Sequence, residues 1–467
     1  MKYFSIFSGS FLLLISFFAW GYIAAEYEYF PGETIKSIQE EVTAFLLEQG
    51  PSQKSIMDKL SHDIGMHPKR LLEDQKESPD RDYKKLKLDG LKDRRSLPLI
   101  YTTDKEEIPA GYLLIWGAFD FERGMHAAIL INSQGEVIHK WIPDTEAFQE
   151  AAVAYNKEAS SEEDKVQIQD SDDLPQGISV FPDGSFIYND GDPGNGMQKL
   201  DFCSRPQWTK LGQFSHTISK QKSDSSIWTI DQDKILHQID PEQGKSLRRI
   251  KVLDIMKANQ DADILSLRFD DLNDKWLDDR WHINDIQPLP AEYEEEFPGF
   301  HTGDLLLSLR SLNAVLIMDQ ESLDIKWWRI GPYSRQHDPD WQEKGTITVY
   351  DNQTRYKISN NQNKDQFSRI LELAPNGYEV DVLYAGEQDN FYSSVRGKHQ
   401  ILPDGRMLIT SSQQGRVMMV NQKGETVLEV INKYSNEEAL LVSEAVWLPE
   451  GFFDFDPQKS KCNNYDE

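Results

Sequence analysis

The sequence predicts an all-β fold, a six-bladed β-propeller preceded by an N-terminal transmembrane helix and a short membrane-proximal helix. Short runs of strand-forming residues separated by Gly, Asp, Asn and Pro recur six times over about 360 residues, which is the pattern of a repeat fold. Pro-Asp-Gly turns at 182–184 and 403–405 suit tight hairpins, because glycine accepts the positive φ that they require. A pair of β-sandwiches or an irregular barrel is the alternative architecture.

The N-terminus carries a long apolar segment at residues 3–25. Its 23 residues are enough to span about 30 Å of hydrocarbon. Lys2 precedes the segment and acidic residues follow from Glu26, so the positive-inside tendency places the rest of the chain outside the cytoplasm. We therefore predict an uncleaved anchor and a propeller that is periplasmic or on the cell surface. A cleaved signal peptide is the alternative, because Ala24 and Ala25 resemble a cleavage site.

Between the anchor and the propeller the sequence changes character twice. Ile35, Ile38 and Val42 recur at helical spacing and predict a membrane-proximal helix. A mixed-charge stretch from Lys69 to Arg95 then predicts a solvated linker. The predicted regions are 1–25 for the anchor, 26–96 for the helix and linker, 97–456 for the propeller, and 457–467 for a loose polar tail.

Beyond Leu97 no long helical pattern returns, and the strand-like runs can be grouped into blades. Closing the ring requires one strand from each end of the domain, and 112–116 and 445–448 are the candidates. The predicted blades contain the runs 127–141, 181–188, 226–240, 303–330, 345–384 and 402–431.

Composition excludes some partners and cofactors. The chain has 50 Lys and Arg against 78 Asp and Glu, a formal charge of −28, which argues against binding nucleic acid. The two cysteines, Cys203 and Cys462, either pair or remain free thiols. There is no cysteine or histidine spacing typical of zinc and no carboxylate cluster at ligand spacing, so we predict no metal and no cofactor.

Four of the ten histidines share one position, just ahead of a strand predicted to be the innermost of its blade. They are His216, His282, His337 and His399. Since the innermost strands of a propeller line its central channel, these four imidazoles are expected to face one another there. Each of them alone would suit a structural role as well. The remaining propeller histidines do not share this position and are expected to be structural or at the surface: His126, His139, His237 and His301.

Arginines accompany these histidines. Arg310 ends a predicted strand, Arg355 follows a turn in the blade of His337, and Arg396 lies beside His399. Guanidinium groups donate in a fork that matches sulfate or phosphate oxygens, and imidazole can act as nucleophile or as proton donor. Histidines and arginines in one cavity therefore favour an oxyanion substrate.

Several segments resemble the arylsulfotransferase family, bacterial aryl-sulfate sulfotransferases that are six-bladed propellers without a cofactor. The most specific is Gln336-His337-Asp338 followed by Gly345-Thr346-Ile347-Thr348-Val349-Tyr350-Asp351-Asn352. Trp281-His282-Ile283-Asn284 and the run from Arg396 to Gly405 also fit, and the resemblance covers roughly residues 100–435.

The resemblance implies transfer of a sulfuryl group from a phenolic sulfate donor to an acceptor phenol through a sulfated histidine. It implies substrate-binding roles for His337 and Arg355 and makes His399 the expected nucleophile. His216 or His282 is expected to protonate the leaving phenolate near neutral pH. Arg310, Arg396 and Asn352 are further expected substrate contacts.

Two other classes of function remain open from the sequence. One is a non-catalytic, membrane-anchored propeller that binds a ligand or a partner protein on the same fold. The other is a quinone-dependent dehydrogenase, which the sequence favours less because it shows neither the docking repeats nor the metal site of such enzymes. The oligomeric state, including a homodimer, is also open.

Overall fold

The structure is a computed structural model. The structure describes residues 69–70, 83–85, 99–102 and 108–462, with gaps at 121–124, 159–164, 167, 169–174, 192–194, 267–268, 271–274, 277–280, 355–366, 388 and 434–437. The predicted transmembrane and membrane-proximal helices lie outside the described residues. Among the residues that are described, no helix is both long enough and apolar enough to cross a membrane.

Six sheets of at least four antiparallel strands form the propeller, as predicted. Each blade runs from its innermost to its outermost strand. Blade 1 contains Val442–Pro449, Gly111–Asp120, Met125–Asn132 and Val137–Trp141; blade 2 contains Ile178–Val180, Phe186–Asn189, Gly196–Leu200 and Pro206–Leu211; blade 3 contains Phe214–Lys220, Ile227–Asp231, Ile235–Ile239 and Ser246–Lys251.

The second half of the ring repeats this plan. Blade 4 contains Ile283–Pro288, Leu305–Leu309, Ala314–Met318 and Ile325–Ile330; blade 5 contains His337–Gln342, Thr346–Asp351, Arg369–Leu373 and Val380–Ala385; blade 6 contains Lys398–Ile401, Met407–Ser411, Arg416–Val420 and Thr426–Ile431. From blade 2 through blade 6 to blade 1, successive innermost strands contact one another. Ser443 of blade 1 then donates a hydrogen bond to the Pro175 carbonyl just before blade 2, which completes the circle.

The ring closes through the two segments predicted from the sequence. Val442–Pro449 pairs with Gly111–Asp120, so that Ala445 lies opposite Ile115 and Trp447 opposite Leu113. This closing pair is fully buried at Leu114, Ile115 and Trp116 on the N-terminal strand. Since a closed ring leaves no exposed sheet edge between first and last blade, the pairing holds the two chain ends in one hydrophobic core.

Part of the stretch predicted to be a solvated linker is instead paired into strands. Tyr83–Lys85 pairs with Leu99–Thr102, and Leu99–Thr102 pairs with the outer strand of blade 6, which widens that sheet to six strands. Lys69–Arg70 pairs with the short strand Glu438–Ala439. The charged sequence did not reveal these strands, because an edge strand forms through pairing of its backbone and needs no apolar alternation.

One helix of thirteen residues, Glu146–Glu158, also departs from the prediction that no long helix follows Leu97. It buries only Phe148 and Ala152, so its sequence carries little apolar periodicity to reveal it. The other helical elements of the described residues are short: Val252–Ala258, and the 3₁₀ turns Asp263–Ser266, Ala291–Glu296, Arg310–Leu312 and Ser412–Gln414.

Cys203 and Cys462 form a disulfide, which decides between the two alternatives left by the sequence. The bond joins the turn between the outer strands of blade 2 to the C-terminal segment, 259 residues further along the chain. Asp454 N–H also donates to the Pro182 carbonyl in blade 2. The described part of the tail is therefore tied to the propeller and is not loose as predicted.

Candidate active site

All four histidines singled out from the sequence lie at innermost strands, one in each of blades 3 to 6. His216 lies inside Phe214–Lys220, His282 immediately precedes Ile283–Pro288, His337 begins His337–Gln342, and His399 lies inside Lys398–Ile401. Three of them gather with arginines at one end of the channel. The fourth faces elsewhere.

The first pair of histidines is in direct ring contact. The rings of His216 and His282 meet edge to face with centroids 5.0 Å apart. Arg310 Nη1 lies 2.6 Å from His282 Nε2. Because a guanidinium always carries its protons, Arg310 donates and His282 Nε2 accepts. The half-buried His216 ring makes no hydrogen bond to any residue that the structure describes, so its nitrogens are available to a ligand.

Both histidines of this pair occupy strained backbone. His216 has φ 65° and His282 has φ 45°, in the left-handed region that non-glycine residues rarely adopt. The register of each innermost strand shifts beside its histidine, between Ser215 and Ser219 in blade 3 and between Ile283 and Asp285 in blade 4. Such bulges redirect side chains and are frequent beside active sites, which fits imidazoles aimed into the channel.

His337 is held on both ring nitrogens. Nδ1 lies 2.7 Å from Asn352 Oδ1, and Nε2 accepts a hydrogen bond of 3.1 Å from the Arg396 backbone N–H. The proton of this imidazole is therefore on Nδ1. Asn352 Nδ2 in turn donates to the carbonyls of Ser393 and Arg396, at 2.8 and 2.7 Å. Asn352 is fully buried, so the structure places it behind His337 and not in direct contact with a substrate as the sequence suggested.

Arg396 brings a second guanidinium to the cluster from blade 6. Its Nη1 donates to the Pro175 carbonyl at 3.3 Å and to Ser443 Oγ at 3.2 Å. Ser443 Oγ also accepts from His126 Nε2 at 3.1 Å. His126, which was expected to be structural or at the surface, is therefore buried and structural: it bonds the serine that also accepts from Arg396.

Burial and neighbouring cations keep His216 and His337 neutral. Burial, followed by His282, His337, Arg396 and Lys234, lowers the pKa of His216 well below its usual value. Burial, with Arg310, His282 and Lys398 nearby, lowers the pKa of His337 to about 3 even though the Asn352 hydrogen bond opposes the shift. The sequence-based expectation of histidine ionisation near neutral pH is therefore corrected for these two residues.

His399 does not face this cluster. Its side chain is 0% exposed. Nδ1 lies 2.8 Å from Asp338 Oδ2, and Nε2 lies 2.7 Å from Thr348 Oγ1 on the next strand of blade 5. An imidazole with both nitrogens occupied and no access to the channel is poorly placed as the nucleophile that the family resemblance implied. Thr348 is itself fully buried, so this carboxylate–imidazole–hydroxyl chain offers no accessible hydroxyl either.

Lys398 reaches the channel in place of His399, because successive side chains of a strand point to opposite sides. Its Nζ lies 2.6 Å from Asp285 Oδ2 of blade 4 and 2.8 Å from Asp338 Oδ1 of blade 5. Against the effect of burial, these two carboxylates raise its pKa well above the usual value. Lys398 was not predicted as a site residue, because strand alternation shows that Lys398 and His399 face opposite sides but not which of the two faces the channel.

A carboxyl cluster surrounds Lys398, contrary to the expectation that no such cluster exists. Burial raises the pKa of Asp285 to about 6, and burial with the charges of Asp338 and Asp285 raises that of Glu444 to about 8. Burial and the same two carboxylates raise the pKa of Asp340 as well. For Asp338 burial acts in the same direction, but the charge of Lys398 and the hydrogen bond from His399 prevail and hold its pKa well below the usual range.

The ligand atoms of Asp338, Asp340 and His399 lie within 4.8 Å of one another, a spacing that suits a metal ion. Asp338 and His399 are already engaged with each other, with Lys398 and with Thr348, so we assign no metal there.

The remaining predicted residues fall away from the channel or outside the description. Arg355 lies outside the described residues. His237 is paired with Asp231 at 2.8 Å, and His139 stacks on Phe202. His301 has a side chain 70% exposed and is bonded to Glu294.

The comparison that bears on this site is a match to the model of the arylsulfotransferase (ASST) family over residues 210–433. Residues 210–433 belong to the arylsulfotransferase family. This arylsulfotransferase segment begins in the outermost strand of blade 2 and includes blades 3 to 6. It therefore contains all four histidines of the innermost strands, together with Arg310 and Arg396. It confirms the family resemblance seen in the sequence.

Solved structures also match this chain at low sequence identity. A protein of unknown function from Bacteroides caccae is 9% identical, with a TM-score of 0.42, over 73% of this chain and 100% of its own. A catalytically inactive variant of virginiamycin B lyase from Staphylococcus aureus, solved with quinupristin, is 11% identical, with a TM-score of 0.37, over 70% of this chain and 87% of its own. No curated protein sequence matches this chain.

Proposed function

We propose that this protein is an aryl-sulfate sulfotransferase that moves a sulfuryl group from a phenolic sulfate ester to an acceptor phenol without a nucleotide donor. The observation that carries the proposal is the cluster of three histidines and two arginines at one end of the channel, within the arylsulfotransferase segment. Cations fixed in place suit a sulfate ester, whose charge is spread over three oxygens.

Among the histidines, His216 is the best-placed nucleophile. His282 Nε2 accepts from Arg310, and both nitrogens of His337 are bonded, whereas His216 is half-buried and neutral and makes no hydrogen bond to the described residues. A neutral imidazole has the lone pair that attack on sulfur requires. This assignment replaces His399, whose ring is enclosed between Asp338 and Thr348.

The first half-reaction conserves atoms and charge. A nitrogen of His216 bonds to the sulfur of the aryl sulfate, and the bond from sulfur to the aryl oxygen breaks. The oxygen departs with the electron pair and takes up the proton released from the other ring nitrogen, so a phenol leaves and a sulfated histidine remains. Arg310 and Arg396 stabilise the negative charge on the oxygens of the sulfuryl group while it is transferred.

The second half-reaction reverses the first with another phenol. The acceptor oxygen attacks sulfur, its proton returns to the imidazole, and the bond between nitrogen and sulfur breaks. His337 is held in a fixed orientation beside the same cluster by Asn352 and the Arg396 backbone. We assign His337 to positioning the Arg396 segment, so that Arg396 can bind the sulfuryl oxygens, with Arg355 as the expected additional cation.

The setting that we propose is extracytoplasmic, with attachment to a membrane through residues 1–25. The disulfide between Cys203 and Cys462 supports it, because disulfides persist in oxidising compartments and are rare in the cytosol. No nucleic-acid partner is proposed, given the formal charge of −28.

The test is acceptor-dependent release of nitrophenolate from 4-nitrophenyl sulfate by the purified protein. Wild type is compared with His216→Ala, His399→Ala and His301→Asn. The last is a matched control, since His301 is exposed and lies outside the cluster. We expect release to require a phenol acceptor, to disappear in His216→Ala and to be unchanged in His301→Asn.

Two results would change the conclusion. Full activity in His216→Ala together with its loss in His399→Ala would return the nucleophile to His399. Absence of release with a panel of aryl sulfates, while radiolabelled phenyl sulfate still binds, would favour the non-catalytic binding propeller.

A further inference from the structure

A carboxylate outside the histidine cluster connects two of the segments that form it. Asp338 directly follows His337 and has φ 53°, in the left-handed region. The register of the innermost strand of blade 5 shifts between His337 and Asp340. Because of this irregularity, two consecutive side chains both contact the chain around the start of blade 6. His337 accepts a hydrogen bond from the Arg396 backbone, and Asp338 contacts the strand that begins at Lys398.

Among the described residues, the Asp338 carboxylate makes its hydrogen bonds and its ion pair with blade 6. Oδ1 accepts from Lys398 Nζ at 2.8 Å. Oδ2 accepts from the His399 backbone N–H at 2.5 Å and from His399 Nδ1 at 2.8 Å. The side chain is only 3% exposed, so it makes these contacts away from solvent. Two consecutive residues of blade 5 therefore contact three residues of the segment that leads into blade 6: Arg396, Lys398 and His399.

The electrostatics support the same reading. Asp338 remains ionised because its pKa is held well below the usual range, and Lys398 remains charged because its pKa is raised. Asp285 shares the Lys398 ammonium at 2.6 Å from blade 4. Removing the charge of Asp338 would leave Lys398 with its ion pair to Asp285 of blade 4 and without the one to blade 5. The segment that carries Arg396 would then lose its ion pair with the residue that follows His337.

We propose that Asp338 is a positioning residue for sulfuryl transfer, which sets His337 and the Arg396–His399 segment in register across the boundary between blades 5 and 6. The proposal rests on the sulfotransferase function proposed above. Asp338 does not touch the substrate in this scheme. It acts through the hydrogen bond between the Arg396 N–H and His337 Nε2, whose geometry depends on the segment that Asp338 holds.

The test compares Asp338→Asn, which keeps the size and removes the charge, with Asp338→Glu, which keeps the charge on a longer arm. Asp304→Asn is the matched control, because Asp304 is also 3% exposed and also bound to a lysine, Lys326, but its contacts are within blade 4 and with the backbone of the exposed His301, not with His216, His282 or His337. Each full-length variant is labelled with ¹⁵N-histidine. The ring signals of His337, assigned with a His337→Gln variant, are recorded beside kcat and KM for 4-nitrophenyl sulfate.

We expect Asp338→Asn to shift the ring signals of His337 and to lower kcat by about 10- to 100-fold, the usual effect of removing a supporting carboxylate, with a smaller change in KM. Asp304→Asn should match wild type in both measurements. If Asp338→Asn does not fold, the same shift and loss are expected in Asp338→Glu. Unmoved His337 signals with wild-type kcat in a folded Asp338 variant would overturn the proposal, and so would equal effects in Asp304→Asn.

The two proposals can fail separately. If wild type shows no sulfuryl transfer, the function proposed above fails, and the His337 signals alone decide whether Asp338 positions the imidazole. If wild type is active and both Asp338 variants are indistinguishable from it, only the positioning role fails.

Discussion

Replacing Asn352 by alanine should damage the site more than it damages the fold. Asn352 makes three hydrogen bonds: one with His337 Nδ1 at 2.7 Å, and one to each of the carbonyls of Ser393 and Arg396 at 2.8 and 2.7 Å. At about 1 kcal/mol for each bond, the variant should lose about 3 kcal/mol of unfolding free energy. His337 also loses the acceptor that fixes its proton on Nδ1, so we expect kcat to fall about 10- to 100-fold.

Asn132→Ala is the control for this prediction. Asn132 also makes three local hydrogen bonds, with Gln134 and Glu136, but in a turn of blade 1 that has no contact with the histidines. Its partners are closer to solvent, so water can replace part of what is lost.

The assay combines urea denaturation with ¹⁵N-histidine spectra and turnover of 4-nitrophenyl sulfate. Asn352→Ala should change all three readouts, and Asn132→Ala should change only the first. The reasoning is refuted if Asn352→Ala keeps the tautomer of His337 and wild-type turnover, or if both variants reduce turnover equally.

Three further outcomes follow from the same structure. Gly397→Ala should unfold the boundary between blades 5 and 6 or abolish turnover, because Gly397 has φ 114° and an added Cβ would lie 2.3 Å from Tyr350 Cζ; melting and activity measurements that equal wild type would contradict the packing. Replacing Cys203 and Cys462 together by serine should lower the unfolding free energy by up to about 5.6 kcal/mol, the chain-entropy value for a separation of 259 residues, and an unchanged urea midpoint would show that the bond contributes nothing. Turnover should stay constant as the pH falls through 6.5 and decline only well below it, because a depressed pKa keeps His216 neutral there; an acid limb centred at 6.5 would mean that the ring is not buried among cations.

The propeller was predictable because each of its determinants is local in the sequence. Turn residues mark the hairpins, and alternating apolar runs mark the strands. The closing strand was predictable for the same reason, since 445–448 and 112–116 are apolar runs at opposite ends of the repeat. Strands formed by charged residues, such as Tyr83–Lys85, carry no such pattern and depend on which neighbouring edge is available.

The candidate site was predictable in position but not in orientation. The shared register correctly placed four histidines at innermost strands. Whether a given imidazole enters the channel depends on single-residue irregularities, such as the left-handed backbone at His216, His282 and Asp338. Those irregularities are set by contacts between blades, so no local pattern showed that Lys398 would face the channel and His399 would not.

Identification of a sulfated residue during turnover tests the central claim most directly. Wild type is mixed with an excess of aryl sulfate in the absence of an acceptor. The mixture is quenched at high pH, where the bond between histidine nitrogen and sulfur persists, and the sulfated peptide is mapped by mass spectrometry. We predict one added sulfuryl group on the peptide that carries His216, and its removal when phenol is added before the quench. A sulfated peptide carrying His399, or turnover with no covalent adduct on any histidine, would contradict the account.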